Sequence, residues 1–273
     1  NEVIYSAWEN TALHSESRDQ SATTDISQMV FNADWTVTEA LSVSGLLGYM
    51  KSEYESNSAK VYLESFADMT IDYREDRFYG TNSYVNGFDP TDIDEYRFHE
   101  IDLAEDKVDN SFAIAKLDSD YLLSDTSTLK FGVSIKDFEH SNNSEQIGNA
   151  LRSEWQSGEI SDVINPDLVY VNNVHEKQSW LSTDVTGVLT TFNVDRNLSY
   201  SDQPDEVTEQ TTALYITYEK DFLLENSEVR TSFGLRYFDT DIESSGLVNG
   251  TEYVTVERQY DDILPTFNLA WYA

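Results

Sequence analysis

Leu129-Lys-Phe-Gly-Val-Ser-Ile-Lys136 sets Leu129, Phe131, Val133 and Ile135 on one side of an extended chain and Lys130, Gly132, Ser134 and Lys136 on the other. Side chains alternate across a β-strand with period two, so the octet reads as a strand with one apolar and one polar face. Val229 to Phe238 repeats the pattern, with Val229, Thr231, Phe233, Leu235 and Tyr237 opposed to Arg230, Ser232, Gly234 and Arg236. Leu41, Val43, Gly45, Leu47 and Tyr49 alternate with small or polar neighbours. Weaker alternation runs through 29–35, 113–121, 212–222 and 267–271, and Val3 to His14 reads as a further strand. No stretch carries a capped apolar stripe at helical spacing. The pattern predicts an all-β chain of about eight strands.

The connections alternate between short and long. Short turns fall near Thr36 to Ala40, Ser124 to Thr126 and Glu225 to Ser227. Long polar excursions are predicted over Lys51 to Val108 and Asn142 to Val207, with smaller ones near Glu16 to Ala22 and Asp241 to Thr251. In an antiparallel up-and-down order, the short turns share one rim and the long loops the other. That asymmetry predicts a transmembrane β-barrel with long extracellular loops.

The two faces agree with this reading. Leu129, Phe131, Val133, Ile135, Phe233 and Leu235 are predicted to face lipid. Trp35, Tyr121, Phe222 and Trp271 fall toward the short turns, and Tyr49 and Tyr237 toward the long loops, as two interfacial girdles would require. The opposite face carries Asn32, Asp34, Lys116, Asp118, Asp120, Lys130, Lys136, Glu219, Arg230 and Arg236, which predicts a wet or plugged lumen. A soluble secreted β-sandwich acting as an acidic binding module is the alternative, since a sandwich core produces the same alternation.

Composition bounds the function. Among 273 residues, 17 basic against 51 acidic residues leave a net charge of −34, which repels phosphates and excludes nucleic acid as a partner. Hydrophobic residues at 39% and aromatics at 13% are too many for a disordered acidic chain. The absence of cysteine excludes disulfide scaffolds, thiolate metal sites and cysteine nucleophiles. No run of about 18 apolar residues predicts a membrane-spanning helix. Asn1-Glu2-Val3 has neither an initiator Met nor the layout of a signal peptide, as in a processed or truncated chain.

Several blocks, taken in order, resemble the barrel of TonB-dependent receptors. They are Phe31-Asn-Ala-Asp-Trp-Thr-Val-Thr-Glu-Ala-Leu-Ser-Val43, Leu117-Asp-Ser-Asp-Tyr-Leu-Leu123 with Leu129-Lys-Phe-Gly-Val133, Gln210-Thr-Thr-Ala-Leu-Tyr215, Phe233-Gly-Leu-Arg-Tyr237 and Leu264-Pro-Thr-Phe-Asn-Leu-Ala270. The last block looks closest to the oligosaccharide-uptake branch, with Thr266 at a place that branch fills with serine. The resemblance implies a larger barrel with an N-terminal plug in the bacterial outer membrane, driving nutrient import with energy from the TonB complex. It implies contact with lipopolysaccharide and a glycan or other small-molecule substrate; a siderophore or metal complex is the alternative cargo within the family. The chain shows no plug-like segment, no energy-coupling box and about eight strands, so residues 1–273 are expected to be a barrel segment of a longer receptor.

Catalytic motifs are absent, and no enzyme activity is expected. His99-Glu100 and His175-Glu176 open like a zinc-protease helix but lack the second histidine. The four histidines, at 14, 99, 140 and 175, are expected in loops or at strand ends. No cofactor is expected beyond a calcium ion, for which Asp89, Asp92 and Asp94, beside Glu95, are the candidate ligands. Substrate-binding candidates in the largest loop are Arg152, Trp155, Tyr170, His175 and Trp180, because aromatic faces stack on sugar rings and Arg bonds their hydroxyls.

Overall fold

The computed structural model describes residues 3–75, 78, 80–148, 165–175, 178–200, 203–250 and 252–272. The chain is all-β, built on strands β1 (Tyr5–Thr36), β2 (Leu41–Asp72), β3 (Thr81–Tyr84), β4 (Arg97–Ser124), β5 (Ser127–Ile147), β6 (Val169–His175), β7 (Gln178–Thr183), β8 (Asp205–Leu224), β9 (Ser227–Val248) and β10 (Glu252–Tyr272). Among the described residues, one α-helix, α1 (Val185–Thr191), interrupts the run of strands. The main sheet is an up-and-down meander in the order β1-β2-β4-β5-β8-β9-β10, with β3 paired to the far end of β2. β6 and β7 form a separate hairpin. β1 and β10 are the outer strands, so among the described residues the sheet is open.

The predicted short turns and the two largest excursions are present, the two smaller excursions are not, and the strand ends move. Short turns after β1, β4 and β8 lie on one rim, while the long connections after β2 and β5 lie on the other. Strands reach far past the predicted limits: β2 continues to Asp72 and β4 starts at Arg97, so the first excursion shrinks to 73–96. The second shrinks to 148–204. Residues 16–22, expected in a loop, lie inside β1, which joins the predicted strands 3–14 and 29–35 into one of 32 residues. Residues 241–248 belong to β9, and Asn249 and Gly250, both with positive φ, open the short connection to β10. Acidic, polar stretches read as loops are therefore strand extensions, because cross-strand hydrogen bonding holds a polar segment extended once its neighbour is in register.

Two compact units divide these strands. One comprises residues 1–22, 56–105 and 144–200 and has its own core. Ala59, Val61 and Leu63 of β2 alternate inward, and Phe98, Ile101 and Leu103 of β4 join them. Leu181 of β7 and Val185, Val188 and Leu189 of α1 complete the cluster. The helical spacing of 185, 188 and 189 is a single apolar face, too short to stand out from the surrounding sequence. Asp184 caps α1 by accepting from the Gly187 N–H at 3.1 Å. Polar ties secure the hairpin: the Thr183 N–H donates to Ser17 Oγ at 2.8 Å, and Ser15 Oγ donates to the Leu181 carbonyl.

The second unit comprises residues 23–55, 106–143 and 201–273. Its registers align the apolar alternation of four strands into rows: Leu129–Tyr218–Phe233–Phe267, Phe131–Ile216–Leu235–Pro265 and Val133–Leu214–Tyr237–Ile263. These side chains are not covered. Phe233 is 54% exposed, Leu235 53% and Phe131 41%. The other face is polar and cross-linked, with Lys130 to Glu219 at 3.0 Å, Lys116 to Asp118 at 2.7 Å and the Tyr215 hydroxyl donating to Asp118 at 2.6 Å.

Candidate functional site

In the first unit, β1, β2 and β4 lie side by side and place His14, Glu64 and His99 together. His14 Nε2 is 3.1 Å from Glu64 Oε1, and His99 Nδ1 is 3.4 Å from Glu64 Oε2. The two imidazole rings lie 4.6 Å apart, tilted by 34°. Arg97 donates from Nε to Glu64 Oε2 at 2.7 Å and also through its Nη2. His99 Nε2 sits 3.7 Å from Glu100 Oε1. The Glu64 and His99 side chains are 6% and 4% exposed, whereas His14 is 42% exposed and opens the cluster to solvent.

A buried carboxylate must be paired or become protonated. Burial pushes the Glu64 carboxyl up, but hydrogen bonds from His14 and Arg97 and the charges of His99 and Arg97 outweigh it and hold the group below its usual range. Next to it, the Tyr62 hydroxyl donates to Glu16 Oε2 at 2.9 Å; burial and that bond push Tyr62 well above the usual phenol range. Two imidazoles and one ionised carboxylate can anchor a cation or exchange protons.

The sequence placed these histidines in loops or at strand ends; His14 instead lies well within β1, while His99 stands near the start of β4 and is buried. His140 lies within β5, with Nδ1 2.7 Å from Asn110 Oδ1. The cluster was missed because its members are 50 and 35 residues apart. A signal existed nonetheless. Val37 N–H donates to the Leu41 carbonyl in the first turn, and counting 23 residues outward along each arm arrives at His14 and Glu64. That count works only if both arms are read as strands throughout.

The expected calcium ligands lie in the connection between β3 and β4, all exposed. Asp89 accepts from the Thr91 hydroxyl at 2.7 Å and its N–H at 2.9 Å, which hold its carboxyl below the usual range. Asp92 caps the short 3₁₀ helix Ile93–Glu95 by accepting from the Asp94 N–H at 3.0 Å. Two of these carboxylates thus close turns. Among the described residues, the group whose ligand atoms converge is His14, Glu64 and His99, not Asp89, Asp92 and Asp94.

Of the substrate-binding candidates, Arg152 and Trp155 lie outside the described residues. Tyr170 pairs with Ser182 and Trp180 with Asn172, so the two aromatics share one face of the β6-β7 hairpin at diagonal positions. Tyr170 is 53% exposed. His175 ends β6 opposite Gln178. The predicted lipid-facing residues Leu129, Phe131, Val133, Ile135, Phe233 and Leu235 all fall on the apolar rows or in line with them. No family model, curated protein or solved structure matches the chain.

Proposed function

We propose that this chain is a wall segment of a bacterial outer-membrane β-barrel and that it serves TonB-dependent import of a nutrient, a glycan in the first instance. The observation that carries the reading is the uncovered apolar band over β5, β8, β9 and β10. Three consecutive rows, from Leu129 to Val133 on β5, contain no charged residue on that face. Below them, Lys220 donates to Thr126 Oγ1 near the turn, and Phe222, Val229 and Trp271 complete the lower edge. Above them, Asp239 pairs with Asp261. From Val229 to Tyr237, a span that includes the row of Lys220 and Thr231, is eight residues, about 27 Å along the strand at about 3.4 Å per residue. A tilt of about 40° reduces that to about 21 Å, close to the about 25 Å apolar belt of outer-membrane barrels.

Exposed apolar surface this extensive marks a membrane or protein contact. A sandwich needs a second sheet over the apolar face, and Phe233, Leu235 and Phe131 have none over them. The ion-paired opposite face suits a hydrated lumen, where Lys130–Glu219 and Lys116–Asp118 balance charge locally. The import role rests on the resemblance of the strand blocks to TonB-dependent receptors. Within it the chain binds and guides, with no covalent chemistry, and contacts lipopolysaccharide at the acidic rim.

Leu235→Arg places a cation in the middle of the band at a cost of about 2–4 kcal/mol, whereas Ser232→Arg changes the polar face. Refolding into detergent micelles, read by heat-modifiable gel mobility, should fail or weaken for the first variant and succeed for the second. Equal assembly of both, or full solubility of the native chain without detergent, would refute the membrane reading. Import is tested by uptake of labelled oligosaccharide in cells with and without the gene, each with and without TonB.

A further inference from the structure

We infer that His14, Glu64 and His99 form a binding site for a divalent transition-metal ion of the zinc class, held by two imidazole nitrogens and one carboxylate oxygen. The inference is independent of the membrane reading. It starts from the spacing of the donors: one ligand atom from each residue lies within 4.8 Å of the other two. A tetrahedral ion with bonds of about 2.0–2.1 Å separates its ligands by about 3.3 Å. One edge of such a site is already in place, at 3.1 Å for His14 Nε2 to Glu64 Oε1, and His99 Nδ1 stands 3.4 Å from the other oxygen, Oε2. Rotation of the Glu64 carboxylate and of the half-exposed His14 ring brings both imidazoles onto a single oxygen.

The scaffold favours a defined site over a chance meeting of side chains. Each donor stands on a different strand, and β1, β2 and β4 are hydrogen-bonded neighbours, so the backbone positions are fixed before any ion arrives. Glu64 and His99 are buried and therefore restricted, while the exposure of His14 supplies an entry path and leaves a fourth position for water or an incoming ligand. Glu100 lies behind His99 on the Nε2 side, the place from which a carboxylate orients a metal-binding imidazole toward its ion. Arg97 engages Glu64 through Oε2, leaving Oε1 facing His14, and its half-exposed guanidinium can turn to water.

The donor chemistry sets the class of ion. Two nitrogens with one oxygen suit zinc, nickel or copper, whereas calcium and magnesium take sets of oxygens. An ion-pair cluster with no metal role would stabilise the sheet but would take up no metal, so uptake distinguishes the two.

The test uses the purified full chain in detergent micelles, stripped of metal, titrated with ZnCl2 by calorimetry and with CoCl2 by visible absorption. Saturable binding of one ion per chain is expected, with the intense cobalt bands of a low-coordinate site. His14→Ala and His99→Ala should each weaken zinc binding by about tenfold or more at unchanged far-UV circular dichroism, and Glu64→Gln should weaken it as well. His140→Ala, outside the cluster, should bind as the native chain does. If His99→Ala does not fold, His14→Ala decides alone, since its side chain is half-exposed. Absence of saturable zinc uptake by the native chain, or native affinity in His14→Ala, overturns the assignment.

Discussion

Arg196 and Asp19, 177 residues apart, are joined by two bonds: Nη1 donates to Oδ2 at 2.7 Å and Nη2 to the Asp19 carbonyl at 2.8 Å. The same guanidinium donates from Nε to Asn57 Oδ1 and from Nη2 to the Asn57 carbonyl at 3.3 Å. One side chain thereby ties the segment after α1 to β1 and β2. Charge-assisted bonds contribute about 1.5–3 kcal/mol each when shielded, and partial exposure reduces this. Arg196→Ala should destabilise the first unit by roughly 1–2 kcal/mol and speed amide exchange in residues 185–198. Unchanged exchange there would contradict the role.

Phe98 is fully buried and packs against the Phe192 ring at 5.6 Å. Replacing it with Ala removes that contact and leaves a cavity beneath α1, at a cost of about 3–5 kcal/mol. Urea unfolding followed by near-UV circular dichroism should show the loss. The effect belongs to the first unit; assembly of the second in micelles should persist.

Two glycines in the second unit should respond oppositely to alanine. A Cβ on Gly132 would sit 2.5 Å from Tyr215 Cε1, 2.6 Å from Asp118 Oδ1 and 2.7 Å from the Leu117 carbonyl. The last is backbone and cannot turn aside, and the other two form the Tyr215–Asp118 hydrogen bond. Gly132→Ala should therefore cost about 1–3 kcal/mol. A Cβ on Gly45 would meet nothing nearer than 3.9 Å, so Gly45→Ala should be neutral or mildly stabilising. The two unfolding midpoints in detergent, measured side by side, decide the matter.

Asp72 titrates at an unusual pH. Side-chain and main-chain hydrogen bonds from Arg74, then its charge, hold the carboxyl to about 2, against an ordinary value of 3.8. Because the folded value is depressed, the pair supports the folded state above the ordinary carboxylate range, and this support is lost as pH falls toward 2. Arg74→Gln, which keeps the main-chain donor and removes the guanidinium, should move the Asp72 carboxyl toward its ordinary range in a carbon-13 NMR titration. A midpoint unchanged by the substitution would show that Arg74 is not the cause.

Much of the sheet was readable beforehand. Alternation at 129–136 and 229–237 identified strands and faces because two-sided burial leaves a period of two in the residue choice. Strand ends were not readable where acids and serines crowd the alternation. Residues 51–72 and 97–108 hold the core-facing Ala59, Val61, Leu63, Phe98, Ile101 and Leu103, but the polar residues around them mask that face until pairing with neighbours fixes the strand. α1 escaped notice for a related reason, since a seven-residue helix shows barely two turns of pattern.

The acidic excess has a similar history. Asp137, Glu139, Glu209, Asp241, Glu243 and Glu257 stand on strands and line one concave stretch above the apolar band. Residue type told where charge is excluded, on the apolar rows. Register told where it is.

By itself the amino-acid sequence determined the class of structure, the strand-and-turn order and the two chemically distinct faces, because these depend on neighbours two residues apart. Tertiary structure decided what gathers across strands: the aligned apolar rows, the Arg196–Asp19 tie and the meeting of His14, Glu64 and His99. Those contacts depend on register, which hydrogen bonding between distant segments sets and no local pattern contains.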